Sequence, residues 1–281
     1  MKKMSDITGK WFLYNGEDFA VGNFEPGTYN PEGHRTIYEV IRVEEGVPLF
    51  IEDYLDRLEN SFRLDQTEIG WTREEILGTI RKLIQINNHK SGPVKLIFGC
   101  DKPPFLLAYL MKPHLPKPEE YITGVKTILM KETRINPNAK VWNNELRERS
   151  MALAEKENAY EVILLNKDGY ITEGSRSNIF FITDEKVVTT PDDLILPGIT
   201  RKKVLEIMDK AGIDLSFKAV KPEELNQYEA CFLTGTTRKV VPVRRIDGHE
   251  FSASNESLHY LTAQFDKYVG DYNRQARIKS K

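Results

Sequence analysis

Residues Tyr160 to Ile182 read YEVILLNKDGYITEGSRSNIFFI. The apolar runs EVILLN and SNIFFIT flank the shorter YITEG, and the three read as strands alternating with turns, with KVVTT following as a fourth. Working outward toward the C-terminus, TRKKVLEIMDKA predicts a helix from Thr200 to Gly212, the glycine acting as its stop. Strands ACFLT and KVVPVRRI come next, then a last helix from about Glu256 that carries Leu258, Leu261, Phe265 and Val269. Toward the N-terminus lie a strand, GVKTILM from Gly124, and a helix from about Asn144 to Asn158. Hairpin-like strands with interspersed helices argue for α+β architecture rather than a strict βαβ series.

The stretch MKPHLPKPEEY, Met111 to Tyr121, holds three prolines and few apolar residues. A domain boundary is expected there, dividing the chain into residues 1–115 and 120–281. In the first part, Tyr38 to Phe50 predicts two short strands around Glu44-Glu45-Gly46. A helix opening at Ile51 buries Tyr54, Leu55, Leu58 and Phe62, and a second runs from the N-cap Thr72 to about Ile86. Strands VKLIFG from Val94 and PFLLAYL from Pro104 complete it. The expected result is a smaller N-terminal α/β sandwich and a larger, barrel-like C-terminal α/β domain.

Lys plus Arg number 40 against 42 for Asp plus Glu, a net charge of -2. So balanced a chain lacks the field of a dedicated nucleic-acid or membrane-surface binder, and a small polar substrate suits it better. The two cysteines, Cys100 and Cys231, form no C-x-x-C pattern, as in a reducing compartment. The N-terminal Met-Lys-Lys-Met-Ser-Asp leads into no apolar run, and no window reaches the roughly eighteen apolar residues of a membrane span. A cytoplasmic protein is expected.

The glycine signatures of dinucleotide and P-loop sites, the H-E-x-x-H zinc motif and the G-x-S-x-G elbow are all missing. The five histidines are scattered. Two segments suit an anion instead. Leu196-Pro197-Gly198 turns directly into a helix beginning Ile199-Thr200, whose free N–H groups and dipole favour a phosphate, unless Thr200 only caps its own helix. Thr234-Gly235-Thr236-Thr237 follows a strand and lets backbone and hydroxyls approach an anion. Glu173 lies where one strand ends and another begins. In a surface turn it is ordinary; buried, it needs a cationic partner such as a protonated pyridine nitrogen.

Taken together these segments resemble the class IV aminotransferases, the fold-type-IV enzymes of pyridoxal 5'-phosphate. The resemblance is carried by YEVIRVEEGVPLFIEDYLDRLENS from Tyr38, NAKVWNNEL from Asn138, the Tyr160 stretch, LPGITRKKVLEI from Leu196 and FLTGTTRKVVPVRRIDG from Phe232. It implies that Lys140, in its Lys-x-x-Asn context, carries the cofactor covalently and that Glu173 faces the pyridine nitrogen. It implies Arg57 as the phosphate arginine, with Ile199, Thr200 and Thr236 completing the phosphate cup. Tyr38 is either an active-site hydroxyl toward the substrate or a packed strand aromatic. The family also implies a homodimer.

The departures fall elsewhere. A glycine-rich turn is replaced by Glu32-Gly33-His34-Arg35-Thr36-Ile37. Gly99-Cys100-Asp101-Lys102-Pro103-Pro104 lacks the arginine with which many members grip a carboxylate. The implied reaction is amino-group transfer between an amino acid and a 2-oxo acid. The same cofactor also serves 4-amino-4-deoxychorismate lyases, which release pyruvate and 4-aminobenzoate, and a cofactor-binding protein without catalysis is a third reading. Damage to Lys140 or Glu173 would mark that third case, and both are present.

Overall fold

The structure, a computed structural model, describes residues 6–25, 33–134, 136–184 and 186–279. The N-terminal Met1 to Ser5 and Glu32 of the divergent turn lie outside the described residues. The chain forms two compact units. One comprises Met1–His114, Ala139–Trp142 and Gly270–Lys281; the other comprises Leu115–Asn138 and Asn143–Val269.

The first unit is built on six antiparallel strands. They are β1 (Ile7–Tyr14), β2 (Glu17–Ala20), β3 (Thr36–Glu44), β4 (Val47–Pro48), β5 (Gly92–Gly99) and β6 (Phe105–Met111), in the order β2-β1-β6-β5-β3-β4. Helices α1 (Ile51–Leu64) and α2 (Arg73–Ile86) join β4 to β5. The expected stripe of α1 is buried, and Arg57 and Ser61 are buried with it. Their spacing explains this: Tyr54, Arg57, Leu58, Ser61 and Phe62 follow the i, i+3, i+4, i+7 pattern of one helical face. Thr72 and Glu75 form a capping box that starts α2.

The hairpin β1–β2 has no counterpart in the sequence reading, which begins at Tyr38. Four consecutive residues of β1, Thr8 to Trp11, are exposed, and its pairing with β6 shifts between Thr8 and Leu13. The alternation that betrays a strand is therefore broken by an irregularity.

In the second unit nine strands form one curled sheet. They are β7 (Val125–Lys131), β8 (Glu161–Leu165), β9 (Ile171–Gly174), β10 (Asn178–Ile182), β11 (Val187–Thr189), β12 (Leu215–Phe217), β13 (Ala230–Gly235), β14 (Lys239–Ile246) and β15 (His249–Glu250). The order is β12-β11-β10-β13-β14-β7-β8-β9, with β15 on β14. Val125, Ile163, Ile179, Phe181, Leu233, Val241 and Val243 pack into its core. The helices are α3 (Glu120–Thr123), α4 (Asn144–Lys156) and α5 (Ile199–Ala211), together with α6 (Glu256–Lys279), whose residues from Gly270 on belong to the first unit. The α5 stop, Gly212, adopts φ 67°, a left-handed conformation that glycine takes without steric cost. Among the described residues, no helix is long and apolar enough to cross a membrane.

Candidate active site

In the first unit, Ala139–Trp142 lies along the start of β3 as a short antiparallel addition. Tyr38 N donates to Lys140 O at 3.2 Å, Trp142 N donates to Thr36 O at 2.9 Å, and Ile37 bridges Val141. This pairing puts Lys140 and Trp142 on the Tyr38 face. The Lys140 Nζ lies 4.6 Å from the Tyr38 ring centroid, and Trp142 meets that ring edge-on at 5.0 Å. The Tyr38 ring therefore packs against the lysine amine and Trp142.

Ser61, absent from the sequence reading, fixes the lysine's backbone. Its hydroxyl accepts from Lys140 N at 3.1 Å and donates to Arg57 O at 2.9 Å. Arg57 Nε and Nη2 donate to Glu39 Oε1 and Oε2 at 2.9 and 2.6 Å. Both side chains are buried. Burial pulls the Arg57 pKa down, but the Glu39 charge and hydrogen bonds outweigh it and hold the guanidinium above its ordinary value. Glu39 is one of three charged residues in β3, with Arg42 and Glu44, and nothing in the sequence pairs it with Arg57.

The second unit gathers Glu173, Asn178, Thr234 and the start of α5. Glu173 sits in β9 at 3% exposure, which rules out the surface-turn reading. Its cationic partner within the unit is Arg134, whose Nε donates to Oε1 at 2.8 Å. Oε2 accepts from Leu196 N at 3.2 Å, with Asn178 Nδ2 at 3.4 Å. Asn178 Nδ2 also donates to Leu196 O at 2.8 Å. The loop into α5 is thereby fastened to the glutamate.

That helix begins at Ile199 with Gly198 as its N-cap, and among the described residues no side chain caps it. Thr200 is its second residue and so does not cap the helix. The first N–H groups of α5 therefore keep the anion-binding character of an uncapped helix start. On β13, Thr234 is the cross-strand partner of Asn178, and its buried hydroxyl finds no hydrogen-bond partner among the described residues. Thr236, half-buried, lies two residues further on in the turn. An uncapped helix start, an unsatisfied buried hydroxyl and a buried carboxylate fit a phosphorylated, basic heterocycle.

A further buried pair, also missed by sequence, supports β9. Glu161 on β8 contacts Arg238 Nη1 and accepts from Arg176 N at 2.6 Å and Ser175 Oγ at 3.2 Å. In the divergent segments, Asp101 Oδ2 accepts from Arg35 N and Arg35 O accepts from Cys100 N, both at 2.9 Å. The two replaced motifs are therefore bonded to each other. Among the described residues no cluster of His, Cys, Asp or Glu is arranged to hold a metal ion.

The first unit thus holds a positioned lysine, and the second holds a buried carboxylate and an uncapped helix start. The amino-transferase class IV family profile matches residues 36–246. The D-alanine aminotransferase of Bacillus licheniformis is 30% identical over 225 residues, covering 75% of this chain and 79% of the relative. A putative branched-chain-amino-acid aminotransferase of Methanocaldococcus jannaschii is 26% identical and covers 94% of both chains. The fold is similar to that of the Escherichia coli branched-chain amino acid aminotransferase, with a TM-score of 0.82, 19% identity, and coverage of 93% and 95%. The chain belongs to the class IV aminotransferase family, whose enzymes use pyridoxal phosphate.

Proposed function

We propose that the protein moves an amino group between an amino acid and a 2-oxo acid, with Lys140 as the residue joined to pyridoxal phosphate. When bound, the cofactor supplies an aldehyde for the amino group and a ring that accepts electron density from the substrate α-carbon. The Lys140 amine takes and returns the proton at that carbon. Glu173, paired with Arg134, serves the pyridine nitrogen. The N–H groups of Ile199 and Thr200, with the hydroxyls of Thr200 and Thr236, hold the phosphate. Arg57 contributes its charge to the same anion, oriented by Glu39. We also propose a homodimer in the cytoplasm, as the family resemblance implies.

The observation that supports this most is the fixing of Lys140. Its backbone is bonded to β3 and to Ser61, and its amine faces Tyr38. A flexible surface lysine has no such restraint, and pre-orientation of the reacting amine is a large part of catalysis. Borohydride treatment followed by peptide mapping tests the assignment, with the pyridoxyl group expected on Lys140. Lys140→Ala is expected to slow transfer by about 10²–10⁴-fold, the range for a lost general acid–base group. An adduct on another lysine, or unchanged turnover in Lys140→Ala, refutes it.

A further inference from the structure

Glu161 is fully buried at the start of β8, with Val162, Ile163 and Leu164 as its apolar neighbours along the strand. A carboxylate in such a place needs donors around it. Oε1 accepts from Arg176 N at 2.6 Å and from Ser175 Oγ at 3.2 Å, and Oε2 meets Arg238 Nη1. Arg238 is itself 3% exposed, and its guanidinium carbon lies 5.1 Å from the Tyr160 ring centroid.

The donors come from two separate turns of the second unit. Ser175 and Arg176 form the turn between β9 and β10, with Glu173 before it and Asn178 after it. Arg238 lies in the turn between β13 and β14, two residues past Thr236. Antiparallel pairing of Asn178 with Thr234 brings both turns to the same end of the sheet. On the first turn, a Cβ at Gly174 would lie 2.1 Å from Ser177 Oγ and 3.0 Å from Glu161 Oε1. The backbone there rests on the carboxylate. On the second, a Cβ at Gly235 would lie 3.2 Å from Arg238 Cγ and Nε, so the arginine folds back over its own turn. Ser175 O also accepts at 3.3 Å from Nη2 of Arg134, the arginine that pairs with Glu173. Glu161 thus joins the turn beside Glu173 to the turn beside Thr236.

We propose that Glu161 and Arg238 are positioning residues that set the spacing between Glu173 and Thr236. The proposal rests on the reading of Glu173 as the partner of the pyridine nitrogen and of Thr236 as part of the phosphate cup. Those are two ends of one small, stiff molecule, and binding both at once gains affinity only if the distance between them is held. An apolar pair in place of the buried ions is often no less stable, so stability alone does not account for them. Charged hydrogen bonds add direction, and here the direction fixes one turn against the other.

The test uses full-length protein loaded with pyridoxamine 5'-phosphate. Wild type is compared with Glu161→Gln and with Glu161→Leu combined with Arg238→Met. The double variant serves if Glu161→Gln does not fold: it strands no buried charge, yet gives Arg176 N and Ser175 Oγ no acceptor. A facing carboxylate favours the protonated pyridine nitrogen, so the pH midpoint of the bound ring's absorption reports whether Glu173 is in place. In both variants that midpoint is expected to fall by about one unit and the affinity for pyridoxamine 5'-phosphate by about tenfold. Inorganic phosphate, which occupies one end only, should bind the variants as it binds wild type. A double variant with the wild-type midpoint and affinity overturns the proposal, since the pair is then structural only. An equal loss of phosphate binding also overturns it. Glu173→Gln separates the two levels. If it lowers the midpoint and the Glu161 variants do not, only the positioning role fails; if it leaves the midpoint unchanged, the reading of Glu173 fails.

Discussion

A Cβ on Gly198 would lie 2.1 Å from Asn178 Oδ1, far inside contact distance. The Gly198 φ of -69° is open to any residue, so the constraint is the neighbouring amide and not the backbone. In Gly198→Ala the Asn178 side chain must turn, giving up its bonds to Glu173 and Leu196. The expected outcome is a lower Tm together with faster loss of cofactor on dialysis, because the loop into α5 is no longer fastened. Wild-type retention in this variant would show that Asn178 yields without disturbing the loop. From sequence, Gly198 reads only as the turn before a helix; its neighbour is contributed by a strand twenty residues earlier. No local pattern encodes that meeting.

At the scale of elements, α1 and β3 are joined by a buried ion pair as well as by apolar packing. Removing the anion while leaving the cation buried costs about 3–5 kcal/mol, whereas replacing both partners by apolar groups is often close to neutral. Glu39→Gln is therefore expected to lose stability on that scale in denaturant unfolding. Glu39→Leu combined with Arg57→Met should recover most of it. Equal losses in the single and double variants would show that the pair itself is not the source. The helical period made the face of α1 legible at Tyr54, Leu55, Leu58 and Phe62, since apolar residues advertise burial. Arg57 and Ser61 on the same face were not legible as buried, because polar residues do so only when their partners are known. The same asymmetry hid Glu161 and Arg238.

For the whole molecule, alkaline pH is the informative axis. Burial raises the phenol pKa of Tyr272, with a further push from the Glu52 charge, to about 12, and burial also raises Tyr160 and Tyr228. Above the ordinary tyrosine value the unfolded chain releases protons that the folded molecule retains. Stability is then fully present below pH about 10 and falls as pH rises toward about 12. Denaturant midpoints measured between those limits should drop, and less steeply in Tyr272→Phe; a flat profile contradicts the assignment. Most of the fold was legible, because the strands of the second unit are short apolar runs between turns. The segments proposed to hold the cofactor are legible only as motifs, each weak alone. The β1–β2 hairpin was not, since an irregularity breaks its pattern.

The four residues Ala139–Trp142 belong to the first unit although the sequence on both sides of them belongs to the second. A nick anywhere in the proline-rich stretch would leave Lys140 on one polypeptide and Tyr38, Thr36 and Ser61, which bond its segment, on the other. Neither half alone would contain a positioned lysine. The gene is thus indivisible at the place where its composition most invites a cut, and a split version would work only as a complementing pair.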